Sequence, residues 1–584
     1  MKLIEALNII SKTPGDGTPM NVALICGFTP LHLSAFLHAE LNKCFPDNKI
    51  ILSTGLYGDL LGNLNAINEN KPDAAVVLIE WADLDARLGT RQLGGWGPRH
   101  LKSICDRVSS YLAEVGRRLD QASANCPIYL CLPTLPLPPL FHTYRWQASN
   151  PEMQLRGELF SFASRFSNNS RINLLNIQRL DHLSPPSERL DVKSEWESGF
   201  PFSIPHASVV GELLAKLIHN PPGMKGLITD LDNTLWNGIV GDVGAQGVHW
   251  DLDHHSQSHG IYQQFLRTLS EEGALLGIAS KNDPANVEEV FQRADILLPK
   301  NCLFPCELGW QSKSRSIGRI LKIWNIGADS VVFIDDSLAE IAEVRSAYPD
   351  IKCIQFPCGD HRGAYKLIEH LRDLFGRRSI SQEDALRLNS IREHARFEQD
   401  GQNDENGFSE ELLREMKAEL TLSFVKDERD GRLLDLLNKT NQFNLNGKRY
   451  TESSWQDYMH RPDTYVLAVS YKDRFGLLGK IAVLAGRTDG NSLWVDTWAM
   501  SCRAFARRIE HQCVKSLFDF FGAAQILLNY TKTTKNIPLA RFLKEIIHKE
   551  PEGLLTLSRE SFLNSCPKLY HQLVIPRNAD LTHV

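Results

Sequence analysis

Cysteine is scarce in this chain: 12 in 584 residues, with no pair spaced C-x-x-C. That excludes a disulfide scaffold and leaves no standard zinc finger. The closest pairs are Cys126/Cys131, Cys302/Cys306 and Cys353/Cys358. They read as reduced, mostly buried thiols, with a zinc site from the last four cysteines as the lesser alternative. Charge of one sign is also missing. The chain has 64 Lys+Arg against 70 Asp+Glu, a formal net charge of −6, which disfavours a broad nucleic-acid footprint. No apolar run approaches the ~18–20 residues of a membrane span. The start, MKLIEALNIISKTPG, carries Glu5 inside its apolar stretch and no small-residue cleavage site, so it does not read as a secretory signal. Internal repeats, low-complexity tracts and coiled-coil heptads are absent too. What remains is an ordinary globular composition, 42% hydrophobic and 23% charged, expected in the cytoplasm with no nucleic-acid or membrane partner. At roughly 150 residues per domain the length suggests three or four domains.

Three blocks follow from the patterning. Over about 1–220, "NVALICG" (21–27), "KIILSTG" (49–55), "DAAVVLIEW" (73–81) and "PIYLCLP" (127–133) read as buried strands. Amphipathic stretches alternate with them, which predicts a parallel α/β sheet. The second block, 221–377, opens at the Pro-Pro-Gly of 221–223. Its predicted strands are 226–229, 274–279, 330–334 and 352–356, with helices over 260–272, 284–294 and 313–324, again α/β. A polar, breaker-rich linker covers 378–414. In the third block, 415–584, four strand-like runs precede the helical "RRIEHQCVKSLFDFFGAA", which predicts an α+β domain.

Chemistry concentrates at the predicted strand ends of the second block. "GLIT" delivers Asp230, Asp232 and Thr234; "GIA" delivers Ser280, Lys281 and Asn282; "VVFI" delivers Asp335 and Asp336; Lys313 opens the helix before that last strand. In an open parallel sheet, ligands bind beyond the carboxyl ends of the strands. Carboxylates converging there repel one another unless a cation or proton intervenes, and Mg²⁺ with carboxylate and phosphate oxygens meets that need. A lysine and a serine add charge and a hydrogen bond for a phosphoryl group.

This ordered set resembles the haloacid-dehalogenase (HAD) superfamily of phosphotransferases. The resemblance implies Asp230 as nucleophile and Asp232 as acid and base, with Ser280 and Lys313 on the phosphoryl oxygens. Thr234, Lys281 and Asn282 would join the phosphate-binding set, and Asp230, Asp232, Asp335 and Asp336 would hold Mg²⁺. Between Asp232 and Ser280 lie 47 residues, and between Ser280 and Lys313 lie 32. Neither gap holds a cap of domain size once a crossover helix is subtracted. An open site suits a substrate carried by a macromolecule.

A closer likeness spans nearly the whole chain. "DLDNTLWNGIVGDVG", "SKND", "GWQSKSRSI", "VVFIDDSLAEIAEVR", "NKTNQFN", "DRFGLLG" and "MSCRAFARRIE" resemble the FkbH-like proteins of polyketide pathways. That likeness implies a glyceryl group taken from 1,3-bisphosphoglycerate, relieved of its remaining phosphate and placed as a thioester on an acyl carrier protein. The family motif points to Cys502 as the acyl-bearing thiol, with Arg503, Arg507 and Arg508 able to favour the thiolate; Cys353 and Cys358 are competitors.

The third block resembles the GNAT acyltransferase fold. At its pyrophosphate loop Ala506 replaces a glycine, and Arg508 stands where glycine or alanine is expected, which disfavours coenzyme A over a carrier's phosphopantetheine arm. The first block resembles an SGNH-hydrolase-like (flavodoxin-like) domain. Gly27-Phe28-Thr29-Pro30 stands where such a domain carries its nucleophilic serine, so His206 is a base without a partner. Two alternatives stay open: a plain HAD phosphatase acting on another phosphorylated acyl substrate, and a non-catalytic biosynthetic scaffold.

Overall fold

The computed structural model describes residues 1–12, 17–93, 97–139, 146–221, 223–376, 410–426, 431–474, 476–489, 492–501, 504, 507–533 and 535–575. Most of the expected linker 378–414 lies outside them. The chain divides into two compact units, Met1–Pro221 with Thr451–Gln456, and Pro222–Tyr450 with Asp457–Val584. No helix among the described residues is long and apolar enough to cross a membrane.

The first unit is built on five strands: β1 (Thr18–Ile25), β2 (Asn48–Thr54), β3 (Ala74–Leu78), β4 (Ile128–Cys131) and β5 (Ile172–Leu174). They pair in parallel in the order β2-β1-β3-β4-β5, the flavodoxin-like doubly wound order. β3 and β4 are buried along their whole length, which is why both read as unbroken apolar runs. β5 is only three residues long and carries too little pattern to predict.

A Cβ built on Gly27 would lie 1.8 Å from Asp83 Oδ1, so Asp83 packs directly against the backbone at the end of β1. His206 is fully buried on the helix Ile204–His219 and both its nitrogens are committed, Nε2 to Thr134 Oγ1 and Nδ1 to Ser184 Oγ, each at 2.9 Å. Thr134 in turn donates from its amide (3.0 Å) and hydroxyl (2.7 Å) to the buried Glu80. His206 is therefore a structural crosslink.

Burial pushes Glu80 up to about 7 and Asp83 up to about 7, while burial, helped by Arg189, pulls His206 down to about 3. For Glu80 the raised value means stability fully present below its unfolded pKa near 4.5 and lost as pH rises through about 7. Glu80→Gln should remove up to about 3 kcal/mol of that alkaline loss. Hydrogen exchange of the β3 and β4 amides at pH 5 and pH 8, corrected for intrinsic rates, checks this. Equal pH dependence in wild type and variant would refute it.

The second unit holds two sheets. One is five-stranded: β6 (Gly226–Thr229), β7 (Leu275–Ser280), β8 (Cys306–Leu308), β9 (Val331–Asp335) and β10 (Lys352–Gln355). All pair in parallel in the order β10-β9-β6-β7-β8. Helices Gln257–Glu271, Pro284–Phe291, Lys313–Trp324 and Leu338–Ala347 connect them. Lys313–Trp324 faces the sheet through Ile317, Ile320 and Trp324, at helical spacing. Asp283 caps Pro284–Phe291 by accepting from the Ala285 amide (2.8 Å), so the polar residue that ends a strand also starts the next helix. Between Asp232 and Ser280 lie only the short helix Val240–Val243, turns and the crossover helix, and no capping domain.

The other sheet has seven strands: β11 (Glu419–Phe424), β12 (Thr464–Asp473), β13 (Gly476–Asp489), β14 (Ser492–Met500), β15 (Gln525–Asn529), β16 (Leu554–Ser558) and β17 (Gln572–Val574). Their order is β16-β15-β14-β13-β12-β11-β17, antiparallel except for β14–β15 and β11–β17. The last three strands were not among the sequence expectations. β14 and β15 pair only over Ser492–Val495, and the rest of β14 instead hydrogen-bonds the segment around Phe443 and Leu445.

Candidate functional site

The carboxyl ends of β6, β7 and β9 bring the predicted residues of the second block together. Asp230 follows β6, and its amide donates to Ile334 O (2.9 Å), which locks it beside the end of β9. Asp335 ends β9 almost completely buried, and Asp336 is half-buried next to it. One oxygen from each of Asp230, Asp335 and Asp336 lies within 4.8 Å of the others.

Lys313, at the first turn of its helix, projects between them with a side chain only 4% exposed. Its ammonium donates to Asp230 Oδ1 and to Ala279 O (2.7 Å). Asp335 Oδ2 sits 2.9 Å from the same nitrogen, close enough for an ion pair but without an aligned hydrogen bond. One lysine against three carboxylates leaves an excess of two negative charges. Burial, with Asp230 adding to it, pushes Asp335 up to about 6 against the opposing pull of Lys313. Burial likewise raises Asp336, followed by Asp230. Although burial opposes its charge, Lys313 is held above its ordinary value by Asp230 and Asp335.

An all-oxygen donor set, an excess of two negative charges and a buried oxygen on Asp335 with no hydrogen bond together fit a hard divalent cation. The fit involves three carboxylates, not the four expected. Asp232 is not among them: its Oδ1 accepts from Trp236 Nε1 (2.8 Å) and the Val240 amide (3.1 Å), and its Oδ2 accepts from Asn282 Nδ2 (3.0 Å), which leaves Oδ2 one lone pair. Asn282 also donates to Ser280 Oγ (3.0 Å), so Ser280, Asn282 and Asp232 form a chain across the ends of β6 and β7. Trp236 and Val240 gave no signal in the sequence, because their contact depends on how the loop after β6 folds back.

Two predicted phosphate ligands are placed elsewhere. Lys281 is ion-paired with Glu340 at 2.6 Å, drawn by the carboxylate on the helix after β9. Thr234 is fully buried and its hydroxyl has no hydrogen-bond partner, so it offers no exposed donor.

Cys502, Arg503 and Ala506 lie outside the described residues. Arg508 caps the helix Ile509–Phe521 with φ +59°, in the left-handed region that glycine occupies freely, and its guanidinium donates to Lys568 O (2.8 Å). Arg507 is buried beneath Tyr471, 5.4 Å from the ring centre, and 3.9 Å from Asp473. The competing thiols are poorly activated. Burial raises Cys353, and burial followed by Asp336 raises Cys358. Among the described residues no metal-sized cluster includes a cysteine, which sets aside the four-cysteine zinc site.

No family model matches this sequence, and no curated protein matches it. Among solved structures, the chain is similar to the N-terminal part of protein BF1531 from Bacteroides fragilis, which contains a phosphatase domain and was crystallised with Mg. The TM-score is 0.51 at 17% identity, covering 65% of this chain and 100% of that one. At this identity the likeness shows the fold alone, a multidomain α/β protein with parallel sheets. A GDSL-like lipase from Parabacteroides merdae matches 34% of this chain and 96% of its own, at 13% identity and a TM-score of 0.22, too low to establish a shared fold.

Proposed function

We propose that this protein is a Mg²⁺-dependent phosphatase of the HAD type that also transfers an acyl group, working in the cytoplasm in the manner of FkbH-like proteins. It would take the glyceryl unit of 1,3-bisphosphoglycerate, remove its phosphate and load it on an acyl carrier protein. The observation that carries the phosphatase part is the buried group Asp230, Asp335, Asp336 and Lys313 at the carboxyl edge of a parallel sheet.

In this reading an Asp230 oxygen attacks phosphorus, the bond to the leaving oxygen breaks, and Asp232 protonates that oxygen. Water then attacks the aspartyl-phosphate with its proton passing to Asp232, which releases inorganic phosphate and restores Asp230. Lys313 and Ser280 bind the phosphoryl oxygens. Asp230, Asp335 and Asp336 would hold Mg²⁺, which would supply charge neutralisation for the phosphoryl oxygens. Trp236 and Asn282 orient Asp232. Trp236→Phe and Asn282→Ala should each lower kcat roughly 10–100-fold with little change in KM, a share of the ~10²–10⁴ that general acid–base catalysis supplies. A rise in KM at unchanged kcat in steady-state kinetics would contradict that assignment.

A carrier-borne substrate is supported by the open edge and by its apolar rim. Ile239, Trp310 and Leu338 are exposed on the segments that follow β6, β8 and β9. For the transferase part, the support is the motif likeness of the third block, with Cys502 as the acyl-bearing thiol, and a mixed sheet whose β14 and β15 diverge beyond Val495, compatible with a GNAT-like domain. The first unit serves as an SGNH-like docking or assembly domain.

The test incubates the protein with 1,3-bisphosphoglycerate formed in situ, Mg²⁺ and a phosphopantetheinylated carrier, and records intact masses of both proteins. A glyceryl adduct on the carrier is expected. Phosphate release with no adduct on either protein would reduce the reading to a plain phosphatase.

A further inference from the structure

The segment between Asp232 and the helix Gln257–Glu271 contains a His- and Asp-rich run, His249-Trp250-Asp251-Leu252-Asp253-His254-His255, for which the phosphatase reading has no use. Its frame is fixed. His249 exchanges two backbone hydrogen bonds with Asn237 (2.9 and 3.1 Å), and the Asp251 amide donates to Ser256 Oγ (3.1 Å). Trp250 is buried, its indole N–H on Asp295 O (3.1 Å), with the Arg293 guanidinium 4.1 Å over its ring. Trp250 is thus an anchor, and the residues on either side of it stay accessible.

Three of those accessible side chains meet. The rings of His249 and His254 stack with centroids 3.5 Å apart and planes 5° from parallel. Asp251 accepts from the His254 amide (2.9 Å), and its two oxygens lie 2.8 and 3.0 Å from His254 Nδ1. One ligand atom from each of the three residues lies within 4.8 Å of the others. From within that limit the ligand atoms need only small side-chain shifts to reach the ~3.3 Å edges of a tetrahedral shell with bonds of ~2.0–2.1 Å. A modest rotation of the half-exposed rings would turn both imidazoles toward one ion.

We infer that His249, Asp251 and His254 form a second metal site, separate from the Asp230 group, that takes a borderline divalent ion of the Zn²⁺ class. Two imidazole nitrogens and one carboxylate suit Zn²⁺, Co²⁺ or Ni²⁺ and do not suit Mg²⁺, which demands oxygen ligands. Three protein ligands leave a position for water. Because His249 is bridged to Asn237, next to the Trp236 that holds Asp232, an ion here would clamp the loop that shapes the phosphatase site. Binding at this site does not depend on the phosphatase reading.

The experiment uses the full chain, stripped with a chelator and kept in excess Mg²⁺. Zn²⁺ is titrated against a chromophoric competitor, and Co²⁺ is titrated while its d–d absorption is recorded. Wild type and Asp230→Asn should both bind one equivalent that the His249→Gln/His254→Gln double variant lacks or binds at least about tenfold more weakly. Far-UV dichroism without added Zn²⁺ checks folding; should the double variant misfold, Asp251→Asn on the exposed turn gives the same readout. Identical Zn²⁺ stoichiometry and affinity in wild type and variant would overturn the site. So would loss of the equivalent in Asp230→Asn, which would place the ion among the phosphatase carboxylates.

Discussion

Asp230→Asn should reduce phosphate release by at least about 10³-fold while the chain stays folded. The amide keeps the shape of the carboxylate but has no anionic oxygen to attack phosphorus, and losses of this order and beyond follow removal of a covalent nucleophile. The fold should tolerate the change because Asp230 is one of three crowded carboxylates. Its removal takes repulsion away from Asp335 and Asp336, both of which it pushes upward, and Lys313 keeps Asp335 as a partner. The expected pattern is therefore lost turnover with equal or higher thermal stability in the absence of Mg²⁺. Under the proposed function, in which acyl transfer does not pass through Asp230, the same variant should accumulate a phosphoglyceryl adduct in the carrier assay. Phosphate release within tenfold of wild type would place the nucleophile elsewhere. A fall in both activity and melting temperature would make Asp230 a structural partner of Lys313 first.

The parts of this site that were legible in the sequence are those a buried strand dictates. Where an apolar run such as Val331–Ile334 ends in Asp335-Asp336, the chain must leave the sheet, and in a parallel sheet all such exits lie on one edge. Residues 226–229 and 313–324 accordingly form the predicted strand and helix to the residue. Side-chain partners were less legible, because a motif fixes a residue's place along a strand and not the direction its side chain takes. Lys281 follows β7 beside Ser280, yet Glu340 on a different helix draws it away. The partners of Asp232 were equally hidden, since Trp236 and Val240 reach it only through the fold of the loop after β6. Short strands such as β5, β8 and β17 carry three residues each, fewer than two periods of an alternating pattern, and could not be separated from loop by periodicity. In the first unit the missing serine was visible, but the commitment of both His206 nitrogens to Thr134 and Ser184 required coordinates.

Lys313→Met should be strongly destabilising to the β6–β10 domain, and Mg²⁺ should restore much of the loss. The lysine is buried against two carboxylates and the Ala279 carbonyl. Its apolar replacement leaves three converging carboxylates without a countercharge, and breaking a buried pair in this way typically costs ~3–5 kcal/mol. A divalent ion bound by the same carboxylates supplies the missing positive charge, so the rise in melting temperature on saturation with Mg²⁺ should be larger in the variant than in wild type. Activity should stay low even with Mg²⁺, since the metal does not replace the ammonium that binds the phosphoryl oxygens. The pH dependence has a definite sign. Asp335 is held up to about 6 without metal, so its contribution to stability is present below its unfolded range and lost as pH rises through about 6. Mg²⁺ competes with that proton, and its stabilisation of wild type should therefore grow between pH 5 and pH 7. Differential scanning calorimetry of both proteins, with and without Mg²⁺ at the two pH values, measures all of this. A Mg²⁺ effect equal in wild type and variant and flat with pH would mean that the ion does not bind among Asp230, Asp335 and Asp336.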